Sequence, residues 1–128
     1  MEFGAESKIK LMTCHPKLKA IADEAIKLYD FSVICGGRNE ADQNEAFLTG
    51  KSKEEWPNSK HNKSPSQAMD LYPYPIDLSG SAQSIHRFYY LAGTIMAVAD
   101  KLNIKIRWGG SFSTIVDLPH FELLDNEI

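Results

Sequence analysis

The chain has 128 residues and a mass of 14.4 kDa, a length that predicts one domain with a core needing no disulfide staples. Hydrophobic residues at 43% and charged residues at 24% exclude wholesale disorder, and no apolar run approaches the ~20 residues of a membrane-spanning helix. A net charge of −3 and a pI near 5.8 lack the basic excess that phosphate neutralisation calls for, so nucleic acid is not an expected partner.

Residues 1–14 read as loop. The opening MEFGAESKIK lacks the basic-then-apolar pattern of a signal peptide, which predicts synthesis as a cytoplasmic protein. Residues 16–29 read as a helix: Pro16 suits its first turn, and Leu18, Ile21, Ala22, Ala25, Ile26 and Tyr29 fall on one face. FSVIC is a short strand stopped by Gly36-Gly37. Asn39 then caps a second helix, EADQNEAFL, ending near Gly50.

Residues 51–66 form a long polar loop with Pro57 and Pro65, and loops of this length in small domains often carry function. QAMDLYPY is a strand, with Ala68 and Asp70 on one side and Met69 and Leu71 on the other, halted by Pro73 and Pro75. From Ser81 to Leu102 the apolar residues Ile85, Phe88, Tyr89, Ala92, Ile95, Met96, Ala99 and Leu102 recur at helical intervals. This predicts the central helix under the sheet, ended by Asn103. IKIRW reads as a strand ending at Gly109-Gly110, SFSTIVDLP as a loop and HFELL as a terminal strand. No repeat or linker interrupts the chain, so a single domain over residues 1–128 is expected. Its class is α+β, a small antiparallel or mixed sheet packed against helices.

Cys14 and Cys35 are too few for a disulfide scaffold and lack CxxC spacing, so both read as free thiols in a reducing compartment. His15 reads as a surface or capping residue and His86 as part of a polar helix boundary. His61 lies in the long polar loop, with Asp70 on the following strand. His120 opens the last strand, with Asp117 three residues earlier. Imidazole nitrogens and a carboxylate suit zinc, and a catalytic zinc takes three protein ligands and leaves one position for water. A nearby carboxylate outside the metal shell could then accept a proton. Spacing alone leaves both this site and a scatter of polar residues open. Trp56, Trp108, Tyr72 and Tyr74 fit either core or rim packing or a cleft wall. The glycine pairs suit tight turns and lack phosphate-loop context. Ser59 has no neighbouring base that would make it a nucleophile.

The run WPNSKHNKSPSQAMDLYPYPID, with Ser59-Lys60-His61 followed by Ala68-x-Asp70, resembles the zinc-binding segment of the M15 metallopeptidases. The likeness is to phage endolysins of the L-alanyl-D-glutamate peptidase type, which are similar to VanY-like D-Ala-D-Ala carboxypeptidases. Asp117-Leu-Pro-His120-Phe-Glu122 resembles the family's acidic-x-x-His segment. GGRNEADQ resembles its Gly-x-Arg element, and RWGG (107–110) the strand before its final loop. These motifs run in the family's order from about residue 4 to residue 125.

The resemblance implies a D-Ala-D-Ala-peptidase-like (Hedgehog/DD-peptidase) fold and one zinc ion held by His61, Asp70 and His120. It implies Asp117 as general base and Arg38 as a catalytic and substrate-orienting guanidinium, with paired donors for a carboxylate or oxyanion. Gln43, Ser59 and Trp108 are the further substrate-binding candidates, Gln43 through contact with substrate or support of Arg38. Two departures stand out. Eight residues separate His61 from Asp70, a longer spacing than many family members have, which the NKSPS loop can absorb. Ser111-Phe112 replaces the family's Asp-Trp, a change expected to alter substrate affinity, loop closure or rate.

The implied function is that of a monomeric phage endolysin, without membrane insertion, that hydrolyses a stem-peptide bond of bacterial peptidoglycan, L-Ala-D-Glu above others. It would be made in the host cytoplasm and act on the wall after release. A D-Ala-D-Ala carboxypeptidase and a non-catalytic wall-binding module on the same fold are the alternatives. A structural zinc would call for cysteine ligands, and both cysteines lie outside the proposed cluster in sequence.

Overall fold

Four short segments rich in strand formers pair into one antiparallel sheet. In chain order they are β1 (Phe31–Cys35), β2 (Ala68–Pro73), β3 (Ile106–Trp108) and β4 (His120–Leu123), arranged spatially as β1-β2-β4-β3. The structure is a computed structural model and describes residues 1–113 and 116–128. The predicted loop over residues 111–119 therefore includes two positions, Thr114 and Ile115, outside the described residues. Among the described residues four α-helices accompany the sheet: α1 (Ala5–Met12), α2 (Pro16–Ala25), α3 (Glu40–Leu48) and α4 (Ala82–Lys101).

Successive strand residues point to opposite faces, and one face of the sheet is wholly apolar. Phe31, Val33, Met69, Leu71, Phe121 and Leu123 are buried there against Leu18, Ile21, Ala22 and Ala25 of α2 and Leu91, Ala92, Ile95, Val98 and Ala99 of α4. Each large side chain so buried contributes roughly 1.5–3 kcal/mol. That leaves the opposite face free to carry polar groups.

The helix boundaries follow their caps. His15 Nδ1 accepts from Lys17 N–H (3.1 Å) and Asn39 Oδ1 from Asp42 N–H (2.8 Å). Ser81 Oγ accepts from Ser84 N–H (3.2 Å). At the end of α4, Asn103 takes a left-handed φ of 58°, which asparagine tolerates.

The N-terminal segment departs from the expected loop. Residues 5–12 form α1, with Ser7 and Leu11 buried. Ser7 Oγ accepts from Val33 N–H (3.0 Å), so the helix satisfies an otherwise bare donor on the edge strand β1. A two-residue contact stripe is too narrow to register as periodicity. The helix expected over 16–29 ends at Ala25 and continues as turns. No helix among the described residues is long and apolar enough to cross a membrane.

Candidate metal centre

The strand register assembles the centre. Cys35 of β1 pairs with Asp70 of β2, and Asp70 pairs with His120 of β4. One row across three strands therefore places a thiol, a carboxylate and an imidazole side by side on the polar face. His61 arrives from outside the sheet, on a 3-10 turn spanning Lys60–Asn62. Ser59 Oγ accepts from His61 N–H (3.2 Å), and Asn62 Oδ1 accepts from Ser59 N–H (3.1 Å). This reciprocal cap fixes the turn. Arg38 N–H donating to His61 O (2.7 Å) ties it to the end of β1.

The two histidines are oriented in opposite senses. His61 Nδ1 sits 2.7 Å from Gly36 O, so that nitrogen donates there and Nε2 is the one turned to Asp70. His61 Nε2 is 3.3 Å from Asp70 Oδ1 but, among the described residues, has no hydrogen-bond partner, although His61 is only 3% exposed. His120 turns its Nε2 to Glu122 Oε1 (2.9 Å) and its Nδ1 to Asp70 Oδ1 (3.1 Å). A carboxylate holding one ring nitrogen aims the other at a cation. Glu122 is itself held by Lys60 Nζ (3.3 Å), which also reaches Asp125 (3.2 Å) and the Leu123 carbonyl. A buried, unpartnered nitrogen facing a carboxylate is costly unless something satisfies it. Cys35, His61 and Asp70 offer ligand atoms within 4.8 Å of one another, a grouping able to hold a metal ion.

The electrostatics express the same crowding. Burial raises the Asp70 carboxyl, but its contacts with His120 and His61 outweigh this and hold it well below the ordinary carboxylate range. Burial pushes His61 down, yet the contacts with Asp70 and Cys35 carry it up to about 10. His120 likewise rises to about 9 through Asp70 and Glu122 despite its burial. Burial also raises the Cys35 thiol, but the neighbouring His61 pulls it below its ordinary value. Asp70 thus favours the protonated form of both imidazoles beside it. A metal must displace those protons, so its affinity rises with pH.

The other sequence candidates occupy distinct places. Arg38, Asp117, Tyr72 and Phe112 line a cleft of about 1400 Å³ over the trio. Arg38 Nη2 lies 3.8 Å from Asp70 Oδ2. Gln43 does not meet the cleft as a substrate contact would require. It is 0% exposed, its Oε1 accepting from Arg38 Nη1 and Asn62 Nδ2 (both 3.0 Å) and its Nε2 donating to the Glu54 carbonyl (2.7 Å). It positions Arg38 instead. Ser59 borders the cleft, but it is buried and its hydroxyl serves the His61 turn. Trp108 is also redirected: its Nε1 donates to the Leu118 carbonyl (2.7 Å) and its ring packs on Tyr89 and the core. Burial and the charge of Asp70 raise the Asp117 carboxyl.

Glu122, Lys60 and Cys35 have no assigned role in the site expected from sequence. The His120-x-Glu122 spacing alone puts both side chains on one strand face and could have identified Glu122. Cys35 was hidden because strict alternation from Phe31 and Val33 assigns it to the core side. An irregularity between Val33 and Cys35 shifts the register and turns it to the side of Asp70.

Backbone closeness makes Gly109 a structural requirement of this centre. A Cβ there would fall on the Asp117 carbonyl oxygen and come within 2.9 Å of His120 Cβ, while Gly109 O accepts from Asp117 N–H (3.0 Å). Gly109→Ala is expected to push the Asp117–His120 turn outward. The cost is about 1–3 kcal/mol, with metal affinity falling in step. Calorimetry with and without metal checks this, and an unchanged midpoint and affinity would contradict the packing.

Residues 1–124 match the family model for phage L-alanyl-D-glutamate peptidase. The chain is 28% identical over 118 residues to the L-alanyl-D-glutamate peptidase of Escherichia phage T5, covering 91% of this chain and 85% of that protein. Its fold superposes on the crystal structure of the Serratia marcescens L-Ala D-Glu endopeptidase ChiX with a TM-score of 0.79 at 28% identity. That match covers 98% of this chain and 92% of the other.

Proposed function

The chain belongs to the phage L-alanyl-D-glutamate peptidase family, and from that premise we propose that it is a zinc peptidase that hydrolyses the L-alanyl-D-glutamate bond of peptidoglycan stem peptides. The observation that carries the reading is the buried, unpartnered Nε2 of His61 beside Asp70, with Nδ1 of His120 on the same carboxylate.

His61 Nε2, an Asp70 oxygen and His120 Nδ1 would hold the ion, a nitrogen-and-oxygen set of three that suits catalytic zinc. A zinc ion held there would supply Lewis acidity, to polarise the scissile carbonyl and make water nucleophilic near neutral pH. Every other task falls to the chain's own groups. Asp117, on the cleft wall, accepts a proton from the attacking water and returns it to the leaving amine. Its raised pKa is the direction a general base needs. Arg38, locked by Gln43, presents its guanidinium to the negative charge that develops on the substrate or to a stem-peptide carboxylate. Glu122 and Lys60 keep His120 in one orientation. Phe112, in the position of the family tryptophan, packs with its ring centroid 5.8 Å from that of His120 and gives the cleft an apolar wall. The protein would act on the wall as a monomer after release from the host cytoplasm.

The test is a mass-spectrometric digest of purified peptidoglycan by the zinc-loaded protein, with Asp117→Ala as control. New D-glutamate amino termini, absent from the control, are the expected product. Released D-alanine would move the activity to the carboxypeptidase class. No product from several wall types, with zinc bound, would favour a wall-binding module.

A further inference from the structure

The mechanism above leaves Cys35 unused. Its Sγ lies 3.7 Å from His61 Nδ1, 3.6 Å from Arg38 Nη2 and 3.6 Å from the Gly36 carbonyl. It lines the same cleft as Asp70 and His120, and the register places it directly beside Asp70. The other thiol cannot substitute for it: Cys14 is buried behind Gly36 and turned to the Lys10 carbonyl (3.7 Å). A second observation points the same way, because the His61 ring that Cys35 touches is 3% exposed and keeps its Nε2 unpartnered beside Asp70.

We propose that Cys35 is a sulfur donor built into the metal centre, so that thiophilic divalent cations are captured by Cys35, His61 and Asp70 together and compete with zinc for the site. The inference rests on the reading that His61 and Asp70 hold a metal. Sulfur, nitrogen and oxygen donors within 4.8 Å of one another need only side-chain adjustment to converge on one ion. Soft thiolate shifts selectivity towards soft cations. The thiol proton leaves to solvent when sulfur binds, and no oxidant or reductant takes part. The irregularity that brings Cys35 to this face thus adds a fourth protein donor to a centre that catalysis needs open.

Cadmium chloride is titrated into metal-free wild-type and Cys35→Ser protein, with zinc in parallel. The readouts are sulfur-to-cadmium charge-transfer absorption and competition with a chromophoric chelator. The wild type is expected to develop the absorption at one equivalent and Cys35→Ser to lack it. The ratio of cadmium to zinc affinity should fall about tenfold or more in the variant. Should the variant fold poorly, alkylation of wild type gives a second measure: cadmium should protect Cys35, located by peptide mass, from iodoacetamide. Cadmium bound to wild type without the absorption, or absorption that persists in Cys35→Ser, would overturn the proposal while leaving the zinc reading intact. Failure of both metals to bind would overturn both.

Discussion

Asp117→Asn is expected to lower turnover by about 10²–10⁴-fold with zinc affinity and thermal midpoint unchanged. Among the described residues the Asp117 side chain makes no hydrogen bond, so the fold there does not hang on it. The turn is carried by the main chain, with Asp117 N–H on Gly109 O (3.0 Å) and His120 N–H on Asp117 O (3.2 Å). The amide is isosteric, so ligand positions should persist. What disappears is a basic oxygen whose pKa burial and Asp70 have raised. The loss should therefore fall on kcat with little change in KM, the pattern of an interaction made only in the transition state. Steady-state kinetics on a defined stem peptide, with zinc quantified in the same sample, measures this. A variant that keeps more than about a tenth of wild-type turnover would remove Asp117 from the role of base.

The parts legible in the sequence are those where one signal dominates. The apolar rhythm of residues 81–102 gives α4 and its cap because twenty residues of helix repeat the same pattern. The site was legible only through motif resemblance: His120 and Asp70 are fifty residues apart, and nothing but strand register makes them neighbours. Features that depend on tertiary context stayed hidden. Gln43 looks like a surface residue on a weakly amphipathic helix, yet it is sealed by Arg38, Asn62 and the Ser52–Glu54 segment. Cys35 looks like a core residue until the irregularity of β1 is known. The α1 helix is stabilised by one buried leucine and one serine hydroxyl, too little to stand out in a polar stretch.

Asp70→Ala is expected to abolish zinc binding and turnover, and to destabilise the metal-free protein in a pH-dependent way. Removing the central carboxylate takes away a ligand and also the countercharge of His61 and His120. Breaking a buried ion pair from one side costs about 3–5 kcal/mol. The window follows from the shifts. Both histidines are raised in the folded state, to about 10 and about 9 from 6.5. Their stabilisation is therefore complete below about pH 6.5 and lost as pH climbs through the folded values. Asp70 is depressed from 3.8, so its contribution is complete above that value and lost as pH falls through the lower folded pKa. The wild-type advantage over Asp70→Ala should thus be greatest between about pH 4 and 6.5 and narrow towards pH 10. Urea denaturation of both proteins in chelator across that range reads it directly. A difference that stays flat from pH 5 to 10 would mean that the carboxylate and the two imidazoles do not titrate as one unit.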